Sequence, residues 1–495
     1  MRLSKQLLVA VLLLGTVRAS LGFALLGPFA TWQTASYGGV NIGYNFDGDI
    51  GGPHTPGEGY RWNVPIINFA FDQTFINYFG TNGQNAIRQA VEMVNGLPPM
   101  SQITNDSAHL YIRGQRVPMQ TKRVNFLAQS LGLLDVRSVG LSLLMEELGL
   151  AEAERWVWTL GGRFTIGNPT ITNDSVLKYN FDPISIQPSS YVNGTLYSYN
   201  IVEFTNPNEA DAVEFSVDPL HFPFSSVSGG FGVGGLGLAL GLGSGEFYTG
   251  LTHDDVGGLR WLYNTNRLFV ESLIGNVTGG RPQTVTGGGG GSPWGGFLTV
   301  SNFFFGATNF FFNTNVFAAG GTNNTNLIVT GLRPGLNQIR FQEVSYDSLL
   351  GQTFIPITNR FTDTTISNSR PVIQPLQRAV LAPDIIFTAE RIGLIDNYVP
   401  AITARTTTDG WQNNDALNGQ DEEVDGGPGV IVPSVEIAFS DQLPYFINDS
   451  TFFLGEGGAS RSFIWASFDG STNTPIIYPA YGQVTIQDIR RLLGL

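Results

Sequence analysis

The 495-residue sequence contains no cysteine, so it has neither a disulfide framework nor thiol catalysis. Only four residues are histidine, and no two of them stand at the spacing of a zinc-binding pair. Charged residues make up only 13%, and Asp and Glu outnumber Lys and Arg by 40 to 26. Because the basic residues are not clustered, neither nucleic acid nor an anionic membrane surface is an expected partner.

The first 22 residues predict a secretory signal peptide. Arg2 and Lys5 precede an apolar run at 7–14, and small residues then offer cleavage after Ala19 or Gly22. No other apolar run approaches the ~20 residues of a membrane helix, so no transmembrane anchor is expected. The absence of cysteine favours a bacterial source, and we expect a secreted or cell-surface protein. Removal of the leader takes three basic residues and changes the formal net charge from −14 to −17.

Composition along the chain predicts an α+β fold in two parts. Residues 23–278 mix helical and extended patterns and are expected to form one mixed domain. A tract with five consecutive glycines at 279–296 is the expected linker. Residues 297–495 have short strand patterns and are expected to form one or two β-sandwich domains.

Hydrophobic periodicity locates the main elements of the first part. A strand is expected at 66–71 and a helix at 81–95, where apolar residues recur at spacings of three and four. A second helix is expected at 135–150, capped by Asp135, and a third at 252–263, capped by Thr252.

Strand patterns dominate the second part. One helix is expected near the end, at 486–493. The expected strands are 297–305, 309–317, 327–330, 338–344, 430–439 and 462–468.

Two segments of the first part resemble matrixin-type metallopeptidases. Residues 86–95 of the first expected helix, which follows a strand, are similar to the family's opening helix. Residues 251–263, Leu-Thr-His-Asp-Asp-Val-Gly-Gly-Leu-Arg-Trp-Leu-Tyr, are similar to its closing helix. Between them, residues 234–244 align with the family's zinc helix, and Gly241 falls on its glycine. The resemblance implies a zincin-like scaffold for this domain.

The same alignment implies that the zinc site is missing. Gly234, Leu238 and Ser244 stand where the family has its three zinc ligands, and Gly235 stands where it has the general-base glutamate. Without imidazoles no Lewis acid is held, and without the carboxylate no water is deprotonated. The resemblance therefore predicts a scaffold without zinc-peptidase activity.

A second resemblance extends nearly from end to end. Residues 27–33, 49–53, 60–65 and 467–479 are similar to a group of secreted proteins from environmental bacteria. This resemblance implies export and brings no mechanism with it.

Two acidic segments predict calcium sites, because carboxylates on a glycine-rich backbone suit a hard cation. The alternative is that both are solvated acidic loops, since their spacing matches no EF-hand. No cofactor is required, and calcium is the one the sequence permits. The candidate ligands are Asp47, Asp49, Asp415, Asp421, Glu423 and Asp425.

Two phenylalanine triplets, 303–305 and 310–312, predict strands with aromatic rings on both faces. Either the rings are buried in a core, or Phe304 and Phe311 face a partner and support self-association.

No serine-nucleophile elbow and no phosphate-binding loop occurs in the sequence. We therefore expect an exported, non-catalytic structural or surface-interaction protein, either a homo-oligomer or a cell-surface component. The alternative is an extracellular peptidase-like or glycan-acting hydrolase with an unrecognised site.

Overall fold

The fold is α+β, as the sequence predicts. The computed structural model describes residues 21–34, 36–37, 40–41, 51–166, 171–203, 210–218, 220, 224–230, 242–279, 283–284, 327–389, 404–405, 408, 410–419, 426–439 and 464–479. Its helices are α1 (Thr31–Thr34), α2 (Gln73–Asn95), α3 (Phe126–Ser130), α4 (Val136–Glu146), α5 (His253–Leu262) and α6 (Asp415–Asn418), with a 3₁₀ turn at Met100–Gln102.

The strands are short and distributed along the whole chain. Those before residue 250 are β1 (Phe23–Gly27), β2 (Ser36–Tyr37), β3 (Val40–Asn41), β4 (Gly52–His54), β5 (Tyr60–Arg61), β6 (Ile66–Phe71), β7 (Thr104–Asn105), β8 (Leu110–Ile112), β9 (Gln115–Arg116), β10 (Lys122–Val124), β11 (Leu133–Asp135), β12 (Leu150–Ala151), β13 (Thr159–Ile166), β14 (Ile171–Leu177), β15 (Asn180–Phe181), β16 (Tyr191–Val192), β17 (Thr195–Glu203), β18 (Ala210–Ser216) and β19 (Glu246–Tyr248). Those after it are β20 (Leu268–Ser272), β21 (Val277–Gly279), β22 (Gln283–Thr284), β23 (Thr330–Pro334), β24 (Arg340–Glu343), β25 (Tyr346–Asp347), β26 (Gln352–Thr353), β27 (Ile357–Ser367), β28 (Arg370–Val380), β29 (Ile385–Ala389), β30 (Ala404–Arg405), β31 (Gln412–Asn413), β32 (Gly429–Val430), β33 (Val435–Phe439), β34 (Ile464–Ser467) and β35 (Ile476–Ile477).

A five-stranded mixed sheet lies at the centre, in the order β24-β6-β29-β33-β30. Its first four strands are parallel, and β30 closes one edge in the antiparallel direction. Parallel strands are covered on both faces, which explains the nearly continuous apolar run of β6. The strand expected at 66–71 is confirmed with the same bounds.

Helix α2 packs against this sheet and is longer than the sequence predicts. Asp72 Oδ1 accepts the amide of Thr74 at 2.7 Å, so the helix begins at Gln73 rather than at residue 81. Gly80, at φ 58°, interrupts the helix and hides the periodicity of its first two turns. Phe79 from those turns contacts the rings of Phe439 and Trp465.

The other two long helices match the prediction. Asp135 caps α4 by accepting the amide of Ser138 at 3.1 Å. Gly140 of α4 lies so close to α2 that a Cβ atom there would meet Ile87 Cδ1 at 2.5 Å. Thr252 and Asp255 form a capping box at the start of α5. These two helices and their caps are confirmed.

The glycine tract at 279–296 does not separate two sheets. Strand β6, before the tract, pairs with β24 and β29, which follow it. A six-stranded antiparallel sheet likewise joins β20 and β21 to β23, β27 and β28. Contrary to the division at 279–296, the described strands on both sides share sheets and one hydrophobic core.

Two strand predictions of the second part, at 338–344 and 462–468, are confirmed with narrower bounds as β24 and β34. The segment expected at 430–439 is two strands, β32 and β33. The prediction at 327–330 is wrong, because residues 327–329 are not in a strand and β23 begins at Thr330. The predictions at 297–305, 309–317 and 486–493 lie outside the described residues.

Candidate functional site

Asp415 is the one predicted calcium ligand that the structure describes. It is fully buried at the start of α6. Its Oδ2 accepts the side-chain amide of Asn413 and the backbone amide of Gly427, each at 3.1 Å. Asp47, Asp49, Asp421, Glu423 and Asp425 lie outside the described residues. Within the described part of the chain, no three acidic or histidine side chains are grouped to hold a metal.

The residues aligned with the metallopeptidase zinc helix are mostly undescribed. Gly234, Gly235, Leu238 and Gly241 fall outside the described ranges, as do Phe304 and Phe311. Ser244 is an exposed turn residue. The absence of zinc ligands at these positions therefore remains a prediction from residue type.

Two of the described histidines, His54 and His253, are held by internal contacts. His253 Nε2 accepts the amide of Leu110 at 3.0 Å, and its Nδ1 lies 3.2 Å from Asp254 Oδ1. His253 is fully buried, so its accepting nitrogen cannot serve as a base for a bound substrate. Burial lowers the pKa of His54 to about 4, and its Nε2 is hydrogen-bonded to the carbonyl of Pro28.

A cluster of buried carboxylates lies beside the start of α5. Glu154 Oε2 accepts the hydroxyl of Ser226 at 2.8 Å, and Glu154 Oε1 accepts the amide of the same serine. Asp255 Oδ1 accepts the amides of Val227 and Ser228, each at 3.0 Å. The two carboxylates therefore tether the segment 224–230 to the turn that carries Glu154 and to helix α5.

Burial raises the pKa of Glu154 to about 7, and repulsion from Asp255 adds to the rise. A carboxyl group in this range could act as a general acid or base. However, Glu154 is only 1% exposed, and each of its oxygens is engaged by Ser226. The geometry therefore suits a structural tether rather than contact with a substrate.

A β-hairpin that follows β24 in the chain presents apolar side chains to solvent. We call residues 345–355, which include β25 and β26, the apical hairpin. Five apolar residues on it and beside it are more than half exposed. They are Leu349 (97%), Leu350 (71%), Phe354 (65%), Ile355 (69%) and the neighbouring Leu381 (51%).

The apical hairpin is held in place by hydrogen bonds at its tip. Asp347 Oδ1 accepts the amides of Leu349 and Leu350 at 2.9 and 3.2 Å. The amide of Gly351, at φ 68°, donates to the carbonyl of Asp347 at 2.8 Å. This turn fixes the backbone beneath both leucines, so their exposure is built into the conformation.

The base of the apical hairpin is attached to the body of the protein. The amide of Thr353 donates to the carbonyl of Leu381 at 2.8 Å. Ser348 Oγ accepts the amide of Gln73, the first residue of α2, also at 2.8 Å. The exposed apolar side chains are therefore presented from a supported element.

Sequence reasoning missed both this hairpin and the Glu154 cluster. The turn itself has a signal, Asp347 followed by Gly351, but alternation cannot distinguish exposed apolar residues from a core strand. Glu154 has no local signal, because Ser226 is 72 residues away along the chain.

No helix in the described ranges is long and apolar enough to cross a membrane. Comparison with protein-family models, with curated proteins and with solved structures found no match for this chain.

Proposed function

We propose that this chain is an exported, non-catalytic surface-interaction protein that binds an apolar partner surface through its apical hairpin. The observation that carries the proposal is the exposure of Leu349, Leu350, Phe354 and Ile355 on a turn fixed by hydrogen bonds. Contiguous exposed apolar patches larger than a few hundred Å² are rare on soluble monomers and mark interaction sites.

Three side chains that could act in catalysis form hydrogen bonds within the protein, which supports a non-catalytic role. His253, His54 and Glu154 are buried, and their polar atoms bond to the protein itself. The pKa of Glu154 near 7 is the one observation that favours the hydrolase alternative. That alternative would require the segment 224–230 to leave Glu154, so we rank it second.

Several finer expectations remain proposals. The zincin-like scaffold is supported by helices at Gln73–Asn95 and His253–Leu262, where the resemblance implies an opening and a closing helix. The β-sandwich remains a prediction from sequence, because the antiparallel sheet that contains β27 and β28 also contains β20 and β21 from the first part. Calcium binding and assembly through Phe304 and Phe311 remain predictions from sequence.

Contacts at the start of the described chain bear on where the proposed leader ends. Gly22 donates its amide to Asp254 Oδ2 at 2.8 Å, and a Cβ atom on it would meet Asn180 Nδ2 at 2.0 Å. Leu21 is fully buried. Cleavage after Ala19 keeps these contacts, whereas cleavage after Gly22 removes the donor from Asp254.

We therefore expect the exported chain to begin at Ser20. Amino-terminal sequencing of the secreted protein measures this directly. A chain that begins at Phe23 and unfolds at the same temperature as one beginning at Ser20 would contradict the structural importance of Gly22.

The contact element is tested by replacing Leu349 and Leu350 together with serine. Both side chains project into solvent, so the substitution should leave stability within about 0.5 kcal/mol of the parent. We expect the wild-type chain to be retained on a phenyl-substituted matrix in moderate salt, and the double variant to elute markedly earlier.

The matched control is Leu220→Ser, because Leu220 is 95% exposed but lies outside the apical hairpin. This variant should elute with the wild type. If the double variant and the wild type elute together, the apical hairpin is not the contact element and the proposal fails.

A further inference from the structure

The segment 224–230 rests on two buried carboxylates that lie side by side. Glu154 accepts the amide and the hydroxyl of Ser226, and Asp255 accepts the amides of the two residues that follow. Glu154 and Asp255 are each only 1% exposed. Because their donors are amides of three consecutive residues, the two carboxylates lie close together, and their negative charges repel each other.

No basic side chain in the described part of the chain compensates these two charges. Arg155 adjoins Glu154 in the chain, but its guanidinium contacts Asp211 at 2.8 Å and Glu214 at 3.7 Å. A buried carboxylate without a cationic partner is costly to ionise, and a second one beside it raises that cost. The closed arrangement therefore favours one proton on the pair.

The tyrosines that face Glu154 are neutral. Tyr248 of β19 donates its hydroxyl to the carbonyl of Ser226 at 2.8 Å, and burial, with the charge of Glu154, raises its pKa. Burial also raises the pKa of Tyr197 of β17, which is within electrostatic reach of Glu154 and Glu214. The proton that the site exchanges near neutral pH is therefore held by a carboxyl group.

Hydrogen bonds decide which carboxyl group holds the proton. Asp255 accepts three backbone amides and the hydroxyl of Thr252, all of which stabilise its charge. Glu154 accepts one amide and one hydroxyl, both from Ser226. We therefore expect the proton on Glu154, whose pKa burial raises to about 7.

The segment 224–230 is attached separately from the sheets. None of its residues lies in a helix or strand, and its backbone amides donate to side chains, among them those of Glu154, Asp255 and Thr195. Val227 joins it to the hydrophobic core. A segment that is held mainly by a few side chains can open without disrupting a sheet.

We propose that the segment 224–230 is a proton-controlled latch, which is closed while Glu154 is protonated and opens locally more often once that proton is lost. Opening lets water reach Glu154 and Asp255, so the two charges no longer share the protein interior. This inference is independent of the proposed function, because the apical hairpin has no part in it.

The direction of the pH effect follows from proton binding. In the open segment Glu154 is solvated and has its ordinary pKa of 4.5, whereas in the closed segment its pKa is about 7. Between these two values opening releases a proton, so the ratio of closed to open molecules falls about tenfold per pH unit. Above pH 7 both states are ionised and the ratio is constant.

The test is amide hydrogen exchange followed by mass spectrometry, on the chain that begins at Ser20. The observed rates are divided by the intrinsic rates at each pH to give protection factors. We expect the protection factor of a peptide that contains residues 226–228 to fall at least tenfold between pH 5 and pH 8 in the wild type. In Glu154→Gln it should change less than twofold.

Low concentrations of urea separate local opening from unfolding of the whole chain, because only the latter exposes enough surface to respond strongly. The matched control is the peptide that contains Ser138, whose amide and hydroxyl are accepted by buried Asp135, with Arg137 at 3.8 Å. At pH 8 we expect residues 226–228 to exchange faster than this peptide and with little response to urea.

Equal exchange rates and an equal urea response in the two peptides would mean that the segment 224–230 opens only when the whole chain unfolds, and the proposal fails. An equal pH dependence in the wild type and Glu154→Gln would also overturn it, because the controlling proton would then lie elsewhere. The urea comparison uses the wild type alone, so it decides the proposal even if Glu154→Gln does not fold.

Discussion

Replacing Asp363 with alanine is expected to lower the free energy of unfolding by about 3–5 kcal/mol, the cost of leaving a buried charge without its partner. Arg333 Nε and Nη2 donate to the two oxygens of Asp363, each at 3.0 Å. The side chains of Arg333 and Asp363 are only 2% and 5% exposed. Without the carboxylate, the guanidinium stays in the protein interior without its salt-bridge partner.

The surroundings of this pair offer only a partial substitute. Arg333 also donates to the carbonyls of Ile328 and Glu271, which carry no full charge. The nearby carboxylate of Glu271 is paired through Oε1 with Arg61 Nε at 2.8 Å, and it lies close enough to Arg333 to interact with its charge but makes no hydrogen bond to it. Since these residues connect β5, β20, β23 and β27, the loss should weaken the packing of the six-stranded sheet against the rest of the core.

The matched control is Glu343→Ala, which breaks the pair formed with Arg88 on the surface. That pair has comparable geometry, with Nε to Oε2 at 2.7 Å, but its side chains are 35% and 37% exposed. We expect a loss of at most about 1 kcal/mol. Urea unfolding followed by tryptophan fluorescence measures both variants.

A double variant, Arg333→Met with Asp363→Leu, separates the cost of an unpaired buried charge from the cost of lost side-chain packing. Removing both charges should restore much of the stability lost in Asp363→Ala, because no unpaired charge remains. If Asp363→Ala costs no more than Glu343→Ala, the pair is not buried as the structure places it.

The second large effect concerns pH. Glu154→Gln is expected to be about as stable as the wild type near pH 4.5 and about 3 kcal/mol more stable near pH 8. Burial raises the pKa of Glu154 from 4.5 to about 7 in the folded chain. The expected difference follows from about 1.36 kcal/mol per pKa unit.

The sign follows from proton binding. Below pH 4.5, Glu154 is protonated in both the folded and unfolded chains, so it adds no pH dependence. Between 4.5 and 7 the unfolded chain loses the proton while the folded chain keeps it, so the free energy of unfolding falls as pH rises. Above pH 7 both states are ionised and the loss is complete.

Glutamine suits this position because, like a protonated glutamate, it is neutral and has both an accepting oxygen and a hydrogen-bond donor. Its oxygen can accept the amide of Ser226 while its amide donates to the hydroxyl of that residue. The control is Glu92→Gln on α2, where an exposed carboxyl is removed. Unfolding midpoints are measured from pH 4.5 to 8. The midpoint of Glu154→Gln should equal that of the wild type at the low end of this range and exceed it increasingly toward pH 8. The midpoint of Glu92→Gln should differ from that of the wild type by the same amount at every pH. If the unfolding midpoint changes equally with pH in all three proteins, the buried position of Glu154 and its raised pKa are contradicted.

Local signals predicted the helices because their causes are local. Asp135 and Thr252 cap α4 and α5 from the adjoining residue, and each helix has its apolar residues at helical spacing. The first two turns of α2 were missed because Gly80 interrupts them. Short-range pattern is thus sufficient for an element with a cap and no interruption.

Sheet pairing has no comparable local signal. Ile67 of β6 lies opposite Phe341 of β24, more than 270 residues away along the chain. The glycine tract between them predicts a linker by composition, although the strands on both sides share a sheet. Pairing of this kind is decided by the packing of the whole core.

The exposed apolar residues of the apical hairpin likewise have no local sequence signal that identifies them as a site. Leu349 and Leu350 were not singled out, because apolar residues near a turn have the same pattern in a core strand as on a surface. Only the structure, in which both side chains are exposed on the turn formed by Asp347 and Gly351, shows that they face solvent. The candidate site therefore could not be found by motif.

The most direct test of the central claim uses the absence of cysteine. Leu350→Cys gives a single labelling site in the apical hairpin, and Leu220→Cys gives an equally unique site outside it. Each is labelled with an environment-sensitive fluorophore and mixed with the phenyl-substituted matrix, which serves as the apolar partner surface. The account predicts a blue shift and a rise in emission at position 350 and no change at position 220. Unchanged emission at 350, or equal changes at both positions, would contradict it.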